Sequence, residues 1–336
     1  MTGGYDRTVR LWNPARLDPA YPPPPTAAKV GPVSNSLSSV DPFHHHNHSA
    51  SAVPLESLPR ALCIQTYTDG LTHPVSAVAV SDESTDASSS AILVAASDRT
   101  LVVMDLVTQR SLRRLSGHYG RINAVAIGPG RETYLSASYD ATVRIWDGRS
   151  RSTEPIQLLA EAKDSVTDIH LAQQDNDNLQ RPTMIRTSSV DGVVRSYDLR
   201  KGLVTCDDHH SPITGMAPTH DGKCLAVSCL DGSIRLMELE TGELLNTYLD
   251  HHVAGQYGLN CGVTANDTTI VSASEDGSAV LYDLVRATCV QSLRGHTKAV
   301  CSVAAHPLEP SVLVTASYDA SAVVWAKDYH YVRWQE

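Results

Sequence analysis

Positive charge is in short supply. Lys and Arg number 27 against 37 Asp and Glu, a net charge of −10 with histidine neutral. Counterion release from nucleic-acid phosphates needs a basic face, so this balance argues against direct nucleic-acid contact and against an anionic membrane surface. Long apolar runs are missing too: the longest, Ala91 to Ala96, is far short of a bilayer span. The seven cysteines are an odd, scattered set with no C-x-x-C pair. That excludes a disulfide scaffold and, with no secretory leader at Met1, points to free, mostly buried thiols in a reducing compartment. No Gly-rich phosphate loop, His-Glu-x-x-His pair or nucleophile elbow occurs, and Asp207-Asp208 are too close in sequence to define a gap for acid–base work. His44, His45, His46 and His48 have no Cys, Asp or Glu shell apart from Asp41, so no metal site is expected there, and no cofactor anywhere.

What is present is a repeat. An aspartate followed six residues later by a bulky residue recurs as Asp6/Trp12, Asp98/Met104, Asp140/Trp146, Asp191/Tyr197, Asp231/Met237, Asp276/Tyr282 and Asp319/Trp325, with spacings of 92, 42, 51, 40, 45 and 43. A β-type run separates each pair, as in Thr142-Val-Arg-Ile145, and earlier runs such as Ile122-Asn-Ala-Val-Ala-Ile127 and Leu135-Ser-Ala-Ser138 precede it. Short strands divided by turn signals such as Gly128-Pro-Gly130 and Asp221-Gly222, without a long helical period, predict an all-β repeat architecture.

The residues resemble the WD-repeat family, whose blade is four short strands. Gly117-His118, Ser136-Ala-Ser-Tyr-Asp140 and Trp146-Asp147 carry the signature in the third copy, and Gly295-His296, Thr315-Ala-Ser-Tyr-Asp319 and Trp325 in the seventh. The resemblance implies a seven-bladed β-propeller in which His118, Ser136, Asp140 and Trp146 form one buried hydrogen-bonded tetrad and His296, Thr315, Asp319 and Trp325 another. A His, Ser and Asp together also suggest a hydrolase triad. A nucleophile would occur once, however, and this set repeats, so no catalytic residues and no enzyme are expected. Met104 and Met237 replace Trp, and Val94 and Val227 stand where the hydroxyl belongs, so those copies are expected to rely on apolar packing.

Copy one is expected to be incomplete. Complete copies start about twenty residues before the aspartate, whereas Asp6 has five residues ahead of it. Residues 1–13 are expected to be a blade remnant holding its third strand, with the innermost strand absent, and a missing upstream segment is the expected cause. Residues 14–60 hold ten of the eighteen prolines and many serines, a composition expected to be a disordered insertion. Residues 61–326 complete the propeller, and the alternating tail 327–336 is a candidate outer strand for blade seven.

The resemblance also places the residue before each aspartate on one rim. Tyr5, Tyr139, Leu230, Glu275 and Tyr318 are the candidate partner surface there, since tyrosine offers large contact area with a polar tip. Arg10, Arg144, Arg195 and Arg235, each four residues after an aspartate, are expected on a solvated outer surface. Trp146-Asp147-Gly148-Arg149 and Tyr197-Asp198-Leu199-Arg200 look like the box by which WD-repeat substrate receptors dock on a cullin ubiquitin-ligase adaptor, with Arg149 and Arg200 as the contacts. More specific stretches between 147 and 261, among them Ser189-Val-Asp-Gly-Val-Val-Arg-Ser-Tyr-Asp-Leu-Arg200 and Gln256-Tyr-Gly-Leu-Asn-Cys261, resemble the mitogen-activated protein kinase organizer subfamily. That resemblance implies a non-enzymatic scaffold in cytoplasm and nucleus, whose partners are kinase-cascade or spliceosomal proteins and not a membrane, nucleic acid or small-molecule substrate.

Overall fold

The computed structural model describes residues 1–17, 61–81, 91–128, 131–172, 184–249, 251–326 and 332–335. Among them no α-helix forms, and the strands make seven antiparallel sheets in chain order. Blade 1 has three strands, β1 (Thr2–Gly3), β2 (Val9–Leu17) and β3 (Ala61–Tyr67). Blade 2 is β4 (Val75–Val80), β5 (Ala91–Ala96), β6 (Thr100–Asp105) and β7 (Ser111–Ser116). Blade 3 is β8 (Ile122–Ile127), β9 (Thr133–Ser138), β10 (Val143–Asp147) and β11 (Gln157–Leu159). Blade 4 follows as β12 (Val166–Ala172), β13 (Met184–Ser189), β14 (Val193–Asp198) and β15 (Leu203–Asp208). Blade 5 is β16 (Ile213–Pro218), β17 (Cys224–Cys229), β18 (Ile234–Glu238) and β19 (Leu244–Tyr248). Blade 6 is β20 (Cys261–Val263), β21 (Thr269–Ala273), β22 (Ser278–Asp283) and β23 (Cys289–Arg294). Blade 7 is β24 (Val300–Ala305), β25 (Val312–Ser317), β26 (Ser321–Ala326) and β27 (Val332–Gln335).

Burial explains why the strands are not simply alternating. A blade packs on a neighbour at each face, so its second and third strands are covered on both sides: every residue of Ala91–Ala96 is buried. Outer strands face water, and five of the six residues of Leu203–Asp208 are exposed. The core is therefore a set of seams. Leu93 and Leu101 of blade 2 meet Ile122 and Trp146 of blade 3, and Ala61 of blade 1 meets Ala322 and Val324 of blade 7. Blade 1 docks on blade 2 backbone-close: a Cβ added at Gly3 would lie 2.6 Å from Val75 Cγ1.

Strand β2 runs on to Leu17, past the boundary drawn at residue 13, and Leu17 pairs with Ala61 across a register irregularity. Pro14 has no N–H to give the ladder, which accounts for the break falling there. The histidine tract, the Pro22–Pro25 run and the rest of 18–60 lie outside the described residues, as do 82–90 and 173–183. Val332–Gln335 pairs with Ser321–Val324 as the outer strand of blade 7.

Candidate functional site

The repeat aspartates sit in equivalent turns, between β1 and β2 in blade 1 and between the second and third strands of blades 2–7, and all do the same local job. Each carboxylate accepts the N–H two residues on: Thr8 to Asp6, Thr100 to Asp98, Thr142 to Asp140, Val193 to Asp191, Ser233 to Asp231, Ser278 to Asp276 and Ser321 to Asp319, at 2.9–3.2 Å. The residue between adopts positive φ in all seven, as glycine at 192, 232 and 277 but as Arg7, Arg99, Ala141 and Ala320 elsewhere. The side-chain cap holds a left-handed turn that four of the seven residues would otherwise resist.

In blade 3 the second carboxylate oxygen of Asp140 takes His118 Nδ1 at 2.9 Å and the Tyr119 N–H at 2.8 Å. His118 Nε2 lies 2.7 Å from Ser136 Oγ, which accepts the Trp146 indole N–H at 3.0 Å. The indole can only donate, so Ser136 gives its own hydrogen to Nε2, leaving Nδ1–H to donate to Asp140. Blade 7 repeats the chain: His296 Nδ1 to Asp319 at 3.1 Å, His296 Nε2 to Thr315 Oγ1 at 2.8 Å, and Trp325 N–H to Thr315 at 2.9 Å. Burial would raise the Asp140 and Asp319 pKa values. Hydrogen bonds from the histidine, the hydroxyl two residues on and the loop N–H outweigh it and hold both well below the ordinary carboxylate range. The histidine nitrogens, the hydroxyls and the indole N–H of these networks are engaged internally, which is the chemistry of a strut rather than of a nucleophile.

The other blades use substitutes. Trp12 donates to Thr2 Oγ1 at 2.9 Å, a pair missed in the sequence although Thr2 stands four residues before Asp6 as Ser136 does before Asp140. In blade 6 Tyr282, buried in the Trp position, bonds His252 Nδ1 at 2.7 Å. The arginines four residues after the aspartates correct the expectation of a solvated face. Arg10, Arg195 and Arg235 turn back on Asp6, Asp191 and Asp231, and Arg195 is buried. Where no histidine reaches the carboxylate, the guanidinium takes its place. Arg144, whose Asp140 is already occupied by His118, is also buried and lies over the Tyr119 ring at 5.7 Å.

Blade 5 shows the cost of the missing hydroxyl. His209 occupies the tetrad position, but Val227 stands opposite Arg235 as Ser136 stands opposite Arg144, and His209 Nε2 is buried without a hydrogen-bond partner. Burial pulls the His209 pKa down to about 4. Val227→Thr, near-equal in volume, would supply the hydroxyl and is expected to stabilise the protein by about 0.5–1.5 kcal/mol in urea unfolding. A destabilised variant would show that His209 does not face position 227.

On the end of the ring that carries these turns, tyrosines stand out. Tyr5 is 86% exposed, Tyr139 67% and Tyr318 53%, whereas Leu230 and Glu275 are partly buried. Glu275 Oε1 accepts the N–H groups of Gln256 and Tyr257 at 2.7 and 2.9 Å, so it positions a loop. That loop, which leads into blade 6, brings Tyr257 onto Tyr318 of blade 7, with ring centroids 5.3 Å apart. Tyr119, 83% exposed beside Tyr139 in the same blade, belongs to the surface and was missed. Its signal was its place directly after the Gly117-His118 pair. At the opposite end, Arg149 is exposed and ion-paired with Glu132, while Arg200 is exposed in its turn. Burial pushes the thiols of Cys229 and Cys261 up to about 11 and about 12, which leaves them poor nucleophiles. Among the described residues no group of three His, Cys, Asp or Glu side chains is placed to hold a metal.

The WD domain, G-beta repeat family matches twice, at residues 109–147 and 287–326, over the two blades whose tetrads are complete. This chain is a WD40-repeat β-propeller. A second family, the anaphase-promoting complex subunit 4 WD40 domain, matches residues 187–254 of the propeller. Among curated proteins, WD repeat domain-containing protein 83 of Rattus norvegicus is 40% identical over 49% of this chain and 49% of its own length. Its homolog in Dictyostelium discoideum is 29% identical over 69% of this chain and 77% of its own. A Caenorhabditis elegans protein named DDB1- and CUL4-associated factor 11 homolog is 25% identical over 72% of this chain and 41% of its own. The propeller thus aligns with about half the length of the rat relative, 49%. WD40 propellers mediate protein–protein interactions and are generally non-enzymatic scaffolds.

Proposed function

We propose that this propeller is a non-enzymatic scaffold that gathers components of a mitogen-activated protein kinase cascade in cytoplasm and nucleus, with splicing proteins as a second set of partners. The observation that carries the reading is the tyrosine face: Tyr119, Tyr139, Tyr257 and Tyr318 are exposed on one end of a rigid ring whose polar networks are engaged internally. Large aromatic area with a polar tip is what a protein-binding hot spot uses. The organizer-like stretches between 147 and 261 support the choice of cascade, and the WD repeat domain-containing protein 83 relatives support a WD-repeat scaffold.

The test is affinity purification of the protein and of Tyr139→Ala/Tyr318→Ala, with kinase-cascade and splicing proteins quantified. Recovery of kinases is expected to fall at least tenfold in the variant, with its melting temperature unchanged, since both side chains are largely solvent-exposed. Equal recovery from both proteins removes the tyrosine face from the proposal.

A second reading, receptor for a cullin ubiquitin ligase, draws on the exposed turns holding Arg149 and Arg200 and on the name of the Caenorhabditis elegans relative. Its mark is a cullin adaptor recovered with the protein and lost with Arg149→Ala/Arg200→Ala. The ion pair of Arg149 with Glu132 weighs against it, because docking on an acidic adaptor would have to displace that partner.

A further inference from the structure

One row of blade 4 departs from its equivalents. Directly opposed residues on the four strands are His170, Arg186, Ser196 and Thr205. Val194 shares a face with Ser196, two residues away, and packs against Ile213, Met216 and Leu225, so the row looks into the seam with blade 5. In the other four-stranded blades the position of Arg186 holds Leu93, Leu135, Ala226, Val271 or Val314, and that of His170 is alanine or glycine. An apolar seam has here been given a guanidinium and an imidazole.

Each keeps a buried nitrogen unsatisfied. Arg186 is 7% exposed, its Nε has no hydrogen-bond partner, and among the described residues no carboxylate pairs with it. His170 Nδ1, on the opposed strand position, is likewise buried without a partner. Burial and then the Arg186 charge pull its pKa down to about 4. Asp168, two residues along β12, gives its carboxylate oxygens to the N–H groups of Met216 and Ile169 at 3.2 and 2.8 Å. The blade 5 side chains that pack with Val194 there, Ile213, Met216 and Leu225, are apolar, and the charged residue on that face, Arg235 opposite Val227, is itself a cation. A cation buried alone costs several kcal/mol unless something neutralises it, and a guanidinium fork is shaped to take two oxygens of one anion.

The geometry points to a small-oxyanion site in the seam between blades 4 and 5, with Arg186 holding the anion through its fork and His170 Nδ1 beside it to bond a further oxygen. The ligand is a free tetrahedral oxyanion, for which inorganic phosphate is the probe, because a group so enclosed is out of reach of a macromolecule's surface. The site lies apart from the tyrosine face and does not depend on the scaffold reading.

Melting temperature is followed against phosphate at constant ionic strength made up with chloride, for the protein, Arg186→Leu and Arg186→Lys, with phosphorus-31 line width as the direct readout. The unaltered protein is expected to rise by several degrees in a saturable way and to broaden the phosphate line. Arg186→Leu, which carries the residue of blades 2 and 3, is expected to melt higher in phosphate-free buffer and to show neither effect. Arg186→Lys keeps the charge without the fork and is expected to bind at least tenfold more weakly; it decides the matter alone should the leucine variant fail to fold. Equal responses to phosphate and chloride, or phosphate binding undiminished in the variants, would overturn the site.

Discussion

Trp146→Ala is expected to destabilise the protein by about 3–5 kcal/mol, the range for emptying a large aromatic site in a packed core. The side chain is fully buried, packs with Leu93, Leu101 and Ile122 across the seam of blades 2 and 3, and donates to Ser136. Its removal therefore weakens two blades, and it strips Ser136 of the donor that orients the hydroxyl toward His118. Trp146→Phe separates the two effects: it retains most of the apolar area and loses the indole N–H, for an expected loss of about 1–3 kcal/mol. Met104, in the same position of blade 2, is equally buried but faces Val94 and carries no such bond, so Met104→Leu is expected to be nearly silent. Chemical denaturation of the three variants checks the order, and a Trp146→Ala variant as stable as Met104→Leu would remove the tetrad from the account of stability.

Asp140→Ala is expected to cost about 2–5 kcal/mol at neutral pH, since it leaves the Tyr119 and Thr142 N–H groups and His118 Nδ1–H without their acceptor. The effect has a pH signature. The folded-state pKa of Asp140 lies below the unfolded value of 3.8, so the unfolded chain takes up the proton first. The stability Asp140 contributes is therefore fully present above pH 3.8 and is lost as pH falls from there through the folded value. The difference in unfolding free energy between protein and variant should be flat from pH 5 to 8 and shrink below about pH 4. Asp168 acts in the opposite sense, because burial lifts its pKa to about 6 and makes its folded-state charge costlier as pH rises. It is present in both proteins and cancels in the difference. A gap that widened toward acid would contradict the hydrogen-bond origin of the Asp140 shift.

Seven blades were legible because the signal was local. An aspartate that caps its own turn and a bulky residue at the end of the next strand need no knowledge of tertiary partners, and all seven turns formed around them. The two complete tetrads needed only fixed spacing between elements. What spacing does not carry is competition. Whether Arg144 or Arg195 turns to its aspartate depends on whether a loop some twenty residues away delivers a histidine first, and a strand pattern read alone makes both look outward-facing. The blade 4 row escaped for a related reason. His170, Arg186, Ser196 and Thr205 are scattered through the chain, and only the pairing register aligns them. Tyr257 depended on a loop held by Glu275, a contact between residues with no periodic relation.

Each seam of the ring is closed by side chains, but not on equal terms. Between consecutive blades the polypeptide itself crosses, so neighbouring sheets are tethered and meet at high effective concentration. Among the described residues, blade 7 and blade 1 meet through the packing of Ala61 on Ala322 and Val324. Bringing them together closes a loop almost the length of the whole chain, an entropic cost that grows only slowly with that length. The circle therefore has a clasp. Among the described residues that join is held by a hydrophobic contact, on which it depends whether the seven sheets behave as a rigid wheel or as an open chain of blades.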